Sequence, residues 1–572
     1  MLSGNYLILK KNLESVIDPK RIITNPLQLL AYGTDASFYR LIPKIVVQVH
    51  NEEEAIEVIR QCHQLNIAIT YRAAGTSLSG QAISDSVLMV ATHKWRKYSI
   101  MEDGMRIRLQ PGIVGSRANI FLTPYRRKIG PDPASINAAM IGGIASNNAS
   151  GMCCGTAQNS YQTIADIRIV LYDGTILDTA NKESKKLFKE KHPEIIQEIE
   201  QIRDEIKANE QLSERIKSKY KIKNTTGYSI NSFVDFEDPF EIIKHLMIGA
   251  EGTLAFISDI TYHTVEDYKY KACTLTVFDT VETACQAVPL LRESPVAAVE
   301  LLDRASIRSV ENDPEAPGYF KALPETACML LIDCQANSQK ELTDKQDAVR
   351  QAIVAIPTLR PYEFTSDPKE YNFNWKARKG LLSSVGGLRR TGTTCLIEDV
   401  AFPISSLAKA CVAIQELFKK YEYKDAVLFG HSLEGNLHLN FSQDFSDPEE
   451  VQRYADMMDE LAYIVVDQFD GSLKAEHGTG RNMAPFVEKE WGETAYRLMI
   501  RIKNTFDPKN LINPGVIIND DPKAHLKDLK PLPPAHEIVD KCMECGFCEP
   551  NCVAEGLTLS PRQRIVIARE IS

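Results

Sequence analysis

The 572-residue chain has no apolar run approaching the eighteen or more residues that cross a bilayer as a helix. Met1 to Lys11 lacks the apolar core and cleavage site of a signal peptide. Its cysteines number 13, an odd count, and most are scattered without framework spacing, which argues against a disulfide scaffold and for thiols kept reduced in a cytoplasm. Positive charge is short: 66 Lys and Arg face 76 Asp and Glu, and a net charge of −10 sets nucleic acid and anionic membrane surfaces aside as partners. There is no internal repeat, no long low-complexity stretch and no G-x-G-x-x-G dinucleotide fingerprint. The remainder, 44% hydrophobic and 25% charged, is ordinary for a globular protein, and the length suggests three or four domains. Peripheral membrane association through a partner would leave no trace in such a sequence.

What is present is most specific near the end. Cys542, Cys545, Cys548 and Cys552 are spaced by two, two and three residues, the run by which bacterial ferredoxins hold a 4Fe–4S cluster. Structural zinc usually separates its two close pairs by a dozen or more residues, so zinc or free thiols is the alternative reading. In two-cluster modules the fourth cysteine of each run serves the other cluster. Only one run is present, and the expectation is a module cut short in a helix read over Arg562 to Ile571.

Earlier segments alternate. Ile45–Val49 is a β-branched run, Asn51 with Glu54 supplies an N-cap, Ala55, Ile56, Val58, Ile59 and Cys62 give a helical stripe, and Ile67–Tyr71 returns to strand. Ile164–Leu171 and Ile176–Thr179 read as a hairpin around Tyr-Asp-Gly-Thr. Between about 181 and 223, Ile195, Ile199, Ile202 and Ile206 recur at helical spacing within Lys- and Glu-rich sequence, an inserted amphipathic excursion with a solvated face. Strands and helices alternate from 269 to 517, and 518–534 reads as a linker before a cysteine module at 535–572.

Ala73-Ala-Gly-Thr-Ser-Leu-Ser-Gly-Gln81 follows a strand directly. Small residues and hydroxyls there suit close approach to an anion, although a tight turn would look the same. Joined by Gly130-Pro-Asp-Pro-Ala-Ser135, Ile141-Gly-Gly143, Asn147-Asn-Ala-Ser-Gly151 and Gly249-Ala-Glu-Gly-Thr253, it resembles the FAD-linked oxidases of the vanillyl-alcohol oxidase and p-cresol methylhydroxylase type. The resemblance implies a two-part FAD domain over 1–268 and non-covalent FAD, since no histidine stands in the first loop. It implies Gly75, Thr76, Ser77, Gly80, Pro131, Gly142, Gly143, Asn148, Gly151 and Gly252 as FAD contacts, with Asn513-Pro-Gly515 closing back on the flavin. Alanines 73 and 74 replace glycines common in the family, which loosens the expected approach.

Val427–His431 and Leu437–Asn440 read as strands about a turn at Gly435-Asn436, pairing His431 with His438 and turning Leu437 and Leu439 to the other face. Ala475-Glu-His-Gly-Thr-Gly480 exposes a further carboxylate and imidazole. Two histidines and a carboxylate with open positions suit a divalent metal; satisfied core histidines are the alternative. These two segments resemble the metal-dependent D-2-hydroxyacid dehydrogenases of the same flavin family, with Glu434 where an Asp is common. The resemblance implies His431, His438 and Glu476 as zinc or manganese ligands, His477 as general base and Arg378 as carboxylate binder. A surface-helix arginine is the other reading of Arg378, and Arg389 with Arg390 offers either a second carboxylate clamp or a solvated pair.

Lys223-Asn-Thr-Thr-Gly-Tyr228 and Tyr32-Gly-Thr-Asp-Ala-Ser-Phe-Tyr39 resemble the long bacterial members fused to a ferredoxin-like module, which continue past this chain's end; Val553 departs from the proline usual there. The expected fold is α+β: the FAD domain, an antiparallel-sheet substrate domain and the start of a helical iron–sulfur piece. The expected reaction takes a D-2-hydroxyacid, D-lactate or D-2-hydroxyglutarate, to the 2-oxoacid. Hydride goes to flavin N5 and electrons leave through the cluster to an unidentified acceptor. Rival readings are a same-fold oxidase using oxygen, or an electron-transfer subunit with no small substrate of its own.

Overall fold

The computed structural model describes residues 2–554 and 557–572, and within them the side chains of all but 382–384 and 388. Three sheets organise it. The first holds Ile22–Ile23, Ile45–Gln48, Val87–Val90 and Ile69–Arg72 in that order, with the last three parallel. Parallel pairing requires crossovers, and the helix Glu52–Gln64 supplies one. Asn51 caps it as the sequence implies, its side chain accepting the Glu54 N–H at 2.9 Å.

The second sheet is built on the long strand Phe256–Glu266, which pairs with Arg106–Leu109, Arg127–Ile129 and Ile164–Val170. The expected hairpin closes on Ile176–Asp178. The insertion forms three helices, Lys182–Lys191, Pro193–Ala208 and Glu210–Lys219. Ile195, Ile199, Ile202 and Ile206 are all buried in the core of this sheet. At roughly 1.5–3 kcal/mol for each buried isoleucine, that stripe is what docks the insertion.

The third sheet has six strands, all antiparallel, in the order Tyr270–Phe278, Cys328–Ala336, Ala298–Leu302, Val427–His431, Asn436–Gln443 and Thr394–Ala401. Leu437, Leu439 and Phe441 enter the core beneath the helices Val281–Arg292, Leu407–Lys420 and Pro448–Ala462. Period-two alternation then turns His438 and Asn440 to the opposite face. The turn differs from the expectation. A single 3-10 turn, Ser432–Glu434, and Gly435 at φ +66° connect the two strands, and Asn436 already belongs to the second. Asn436 is drawn in because its carboxamide donates to Asp399 Oδ1 at 2.7 Å and to the Val400 carbonyl at 3.0 Å.

The segment read as a linker packs in part against the first third of the chain. Lys530 N–H donates to the Phe38 carbonyl at 2.8 Å, and the Tyr39 hydroxyl donates to the His525 carbonyl at 2.9 Å. Lys530 is buried beside Glu544 at 3.1 Å. Backbone groups of the segment bond the Phe38–Tyr39 strip, while Lys523, Lys527 and Asp528 stay exposed, as the polar composition suggests. The helix Pro561–Ile571 closes the chain, opened by a capping box between Ser560 and Gln563.

Candidate active site

The strand Ile69–Arg72 delivers the chain into Ala73–Gln81, where Gly75 at φ +64° turns the loop back. A Cβ on Gly75 would strike the Arg72 guanidinium, so only glycine permits this approach. Among the described residues, none of the N–H groups of Ala73 to Leu78 donates to a protein acceptor. The carbonyls of Ala74 and Gly75, by contrast, are taken by Arg562 at 3.0 and 2.7 Å. A run of unused N–H groups beside a cavity fits a diphosphate.

That cavity is continuous from the loop to the histidines of the third sheet. Gly75, Thr76, Ser77, Gly142, Gly143 and Gly252 line it. Gly80, Pro131, Asn148, Gly151 and Asn513 do not; they build its walls from behind. Gly80 makes room for the Tyr39 ring and Gly151 for the Asp132 backbone. Asn148 accepts the Tyr161 N–H at 3.1 Å, and Pro131 is buried. Asn513 donates to the Gln81 and Glu251 carbonyls at 2.9 and 3.1 Å, returning the chain to the loop without reaching the cavity.

At the other end of the cavity stand His431, His438, Glu476, His477 and Arg378. His431 Nε2 lies 3.1 Å from Glu476 Oε1 and 3.2 Å from His438 Nε2, and His438 Nε2 lies 3.5 Å from the same oxygen. Three donor atoms thus converge. Their outward sides are held: His431 Nδ1 faces Glu300 at 2.8 Å, and His438 Nδ1 stands 3.3 Å from Asp399 Oδ1. Glu476 Oε2 accepts from Lys223 Nζ at 2.7 Å and from the Ser150 hydroxyl at 2.9 Å. Glu300 thus backs His431 by a hydrogen bond, whereas His438 Nδ1 lies near Asp399 without a hydrogen bond, and the two inner nitrogens face each other and Glu476, where a metal ligand set would converge. Asp399 also accepts the Glu476 and His477 N–H groups at 2.7 and 2.9 Å, which sets the Gly-rich loop. A second grouping of donors, Asp399, His438 and His477, overlaps the first through His438, and the His477 ring stacks on it at 5.2 Å.

Burial would lower His431, but Glu300 and Glu476 outweigh it and its pKa is raised. His438 falls well below the ordinary value, through burial and then the neighbouring His431 and His477. Burial would raise Glu476, yet Lys223 and the histidines carry it well below the usual carboxylate range. A neutral imidazole at His438 and an ionised Glu476 are the forms that bind a divalent cation. Glu251, which also lines the cavity, is pushed up to about 8 by burial, with its Oε1 unbonded.

Arg378 is not a surface arginine. It is 4% exposed, its Nε in ionic contact with Glu300 Oε2 at 2.6 Å, its guanidinium 4.6 Å over the Phe429 ring, and neither Nε nor Nη2 makes a hydrogen bond among the described residues. Arg389 is no clamp for a distal carboxylate: it donates to the carbonyls of Asp540, Lys541 and Cys542, at 2.7 Å for the first. Arg390 is exposed and pairs with Asp444.

Of the four cysteines, Cys545 lines the cavity with Phe547, whereas Cys542, Cys548 and Cys552 do not. No three of these sulfurs lie within 4.8 Å of one another among the described residues. Glu300, Asp399 and Lys223 escaped the sequence reading as site residues. Lys223 at least lay in a quoted motif; Glu300 and Asp399 stand on strands whose partners only the register reveals.

Residues 268–517 match the C-terminal domain of FAD linked oxidases, and 43–180 match an FAD binding domain. The chain is 26% identical to the D-2-hydroxyglutarate dehydrogenase of Pantoea ananatis over 85% of its own length and 49% of that protein's. It is 22% identical to the glycolate oxidase subunit GlcD of Bacillus subtilis, over 90% of this chain and 98% of that one. It is 24% identical to a mitochondrial D-lactate dehydrogenase [cytochrome] of Arabidopsis thaliana, over 83% and 74%. The chain therefore spans about half the length of the D-2-hydroxyglutarate dehydrogenase it matches. Among solved structures, substrate-bound p-cresol methylhydroxylase superposes with a TM-score of 0.64 at 13% identity, over 91% of this chain and 99% of that one, a likeness of fold.

Proposed function

The chain belongs to the FAD-linked oxidases, and from that premise we propose that it oxidises a small D-2-hydroxyacid to the 2-oxoacid, using FAD and a divalent metal. The observation that carries the reading is the shared cavity: the phosphate-type loop at one end, two histidines, a carboxylate and an arginine at the other. Relatives named for D-2-hydroxyglutarate, D-lactate and glycolate all act on 2-hydroxyacids, which supports the substrate class and leaves the member open.

His431, His438 and Glu476 would hold zinc or manganese, and Ala73 to Leu78 would hold the FAD diphosphate. The metal supplies Lewis acidity toward a hydroxyl and carboxylate, and the flavin supplies the two-electron acceptor. The protein does the rest. Arg378, itself buried, pairs the substrate carboxylate through its unbonded Nη2. His477, whose N–H is anchored on Asp399, takes the hydroxyl proton. Cys542, Cys545, Cys548 and Cys552 would be the ligands of a 4Fe–4S cluster, which would supply one-electron chemistry.

Anaerobic bleaching of the flavin band tests this with D- and L-lactate, D- and L-2-hydroxyglutarate, glycolate and malate, before and after chelation. Bleaching by one acid, lost on chelation and restored by metal, is the expected result. No bleaching by any of them, with FAD and metal both bound, refutes it.

A further inference from the structure

One group of buried charges that the hydroxyacid chemistry does not use surrounds the cysteine segment. Arg562, 2% exposed, donates to the carbonyls of Gly75 and Ala74 at 2.7 and 3.0 Å while pairing with Glu549 at 2.7 Å. Its Nη1 also lies 3.5 Å from the Glu544 carbonyl. Gly546, at φ +80°, makes this possible, since a Cβ there would stand 2.7 Å from the same Nη1. One guanidinium therefore grips the flavin loop and the cysteine loop together.

Glu544, between the first two cysteines, is fully buried and accepts from Thr34 Oγ1 at 3.0 Å and Arg569 Nη1 at 2.5 Å, with Lys530 Nζ at 3.1 Å. The substrate domain adds Arg389, bonded to the carbonyls of residues 540 to 542. Charged hydrogen bonds of this kind fix orientation as well as contact. They leave Cys545 and Phe547 as part of the flavin cavity wall.

We propose that the cysteine loop is a structural wall of the flavin cavity and that Arg562 is the positioning residue coupling its docking to FAD binding. The loop carbonyls of residues 74 and 75 are satisfied by Arg562, while the N–H groups of the same peptides, those of residues 75 and 76, have no protein acceptor among the described residues. Binding of a diphosphate then orders the loop that Arg562 holds, and an ordered cysteine loop in turn prepares the diphosphate site. Such coupling is reciprocal by thermodynamic necessity. The inference rests on the cavity being the FAD site, not on which hydroxyacid is oxidised.

Hydrogen exchange on the full chain, with FAD removed and restored, tests it without substrate. In the wild type, amides of residues 540–552 should exchange about tenfold more slowly with FAD bound, the scale of a modest coupling. Arg562→Ala should abolish that protection and weaken FAD binding by about ten- to a hundredfold, as expected for the loss of two charge-assisted bonds. Arg562→Lys, which keeps the charge and one bond, should recover part of both. Exchange in the wild type that is indifferent to FAD overturns the coupling, whether or not any variant folds. Equal protection in Arg562→Ala overturns Arg562 as its carrier. Flavin bleaching by hydroxyacids is a separate readout, so failure of one proposal is distinguishable from failure of the other.

Discussion

Glu300 Oε1 stands 2.8 Å from His431 Nδ1 while Glu300 Oε2 stands 2.6 Å from Arg378 Nε. One fully buried carboxylate thus positions both a candidate metal ligand and the candidate substrate arginine. It does so from the strand Ala298–Leu302, whose Glu300 pairs directly across the sheet with His431. The candidate metal ligand and the candidate carboxylate binder are therefore linked through one side chain.

Glu300→Gln keeps the shape but removes the charge that backs the imidazole. Metal content after dialysis should fall about 10- to 100-fold in affinity, the usual cost of losing a carboxylate behind a ligating histidine. Metal analysis at graded chelator concentrations reads this directly. Unchanged affinity would mean that His431 is held by its strand alone.

Arg378→Lys should separate binding of the substrate from binding of the metal. A lysine preserves the charge beside Glu300 but loses the planar fork, so KM should rise about 10- to 100-fold, or about 1.4–2.8 kcal/mol. Metal content should stay as in the wild type. A fall in kcat with KM unchanged would place Arg378 outside carboxylate binding.

The parts of this arrangement that the sequence disclosed are those carried by local grammar. Asn51 and Glu54 announce a helix start, the isoleucines of 195–206 announce a buried stripe, and two histidines flanking a tight turn announce their own proximity. Glu300 and Asp399 carry no such mark, because each is one acidic residue in an apolar strand and acquires its role from cross-strand register. Arg562 is further out of reach: it lies 487 residues from Gly75, and only the folded chain joins them. The polar stretch before the cysteines is the converse case: Lys523, Lys527 and Asp528 are exposed as composition implies, while its backbone groups and Lys530 are packed. Composition reports what water would accept, not which buried partners compete for the same groups.

Acid should loosen the cysteine segment first. Burial would raise Glu544, but Lys530 and Arg569 hold it at about 2, below the ordinary 4.5. A depressed carboxylate contributes stability that is full above 4.5 and lost as pH falls toward 2, here on the order of 3 kcal/mol. Limited pepsin digestion between these limits should cut within 535–572 before it cuts elsewhere. Glu544→Gln should show that early cleavage already at pH 4.5, because Lys530 and Arg569 are left buried without their partner. Cleavage that begins within 268–517 instead would deny Glu544 this role.

Glu251 gives the opposite sign on the other wall of the cavity. Its carboxyl is buried, accepts the Gly480 N–H at 2.8 Å through Oε2, and has no partner for Oε1, so burial raises it from 4.5 to about 8. Between those values the folded protein holds a proton that the unfolded chain has released. Stability contributed by this group is therefore full below 4.5 and declines as pH rises through 8, with a slope approaching about 1.4 kcal/mol per pH unit. Glu251→Gln mimics the protonated form and still accepts from Gly480, so it should flatten that slope while leaving stability near pH 5 little changed. Urea unfolding of wild type and variant at pH 5, 6, 7 and 8 makes the comparison, since other titrating groups cancel between the two proteins. Converging curves toward low pH and a widening gap in favour of the variant toward pH 8 are expected. Parallel curves would mean that Glu251 is ionised throughout and that a counter-charge reaches its free oxygen.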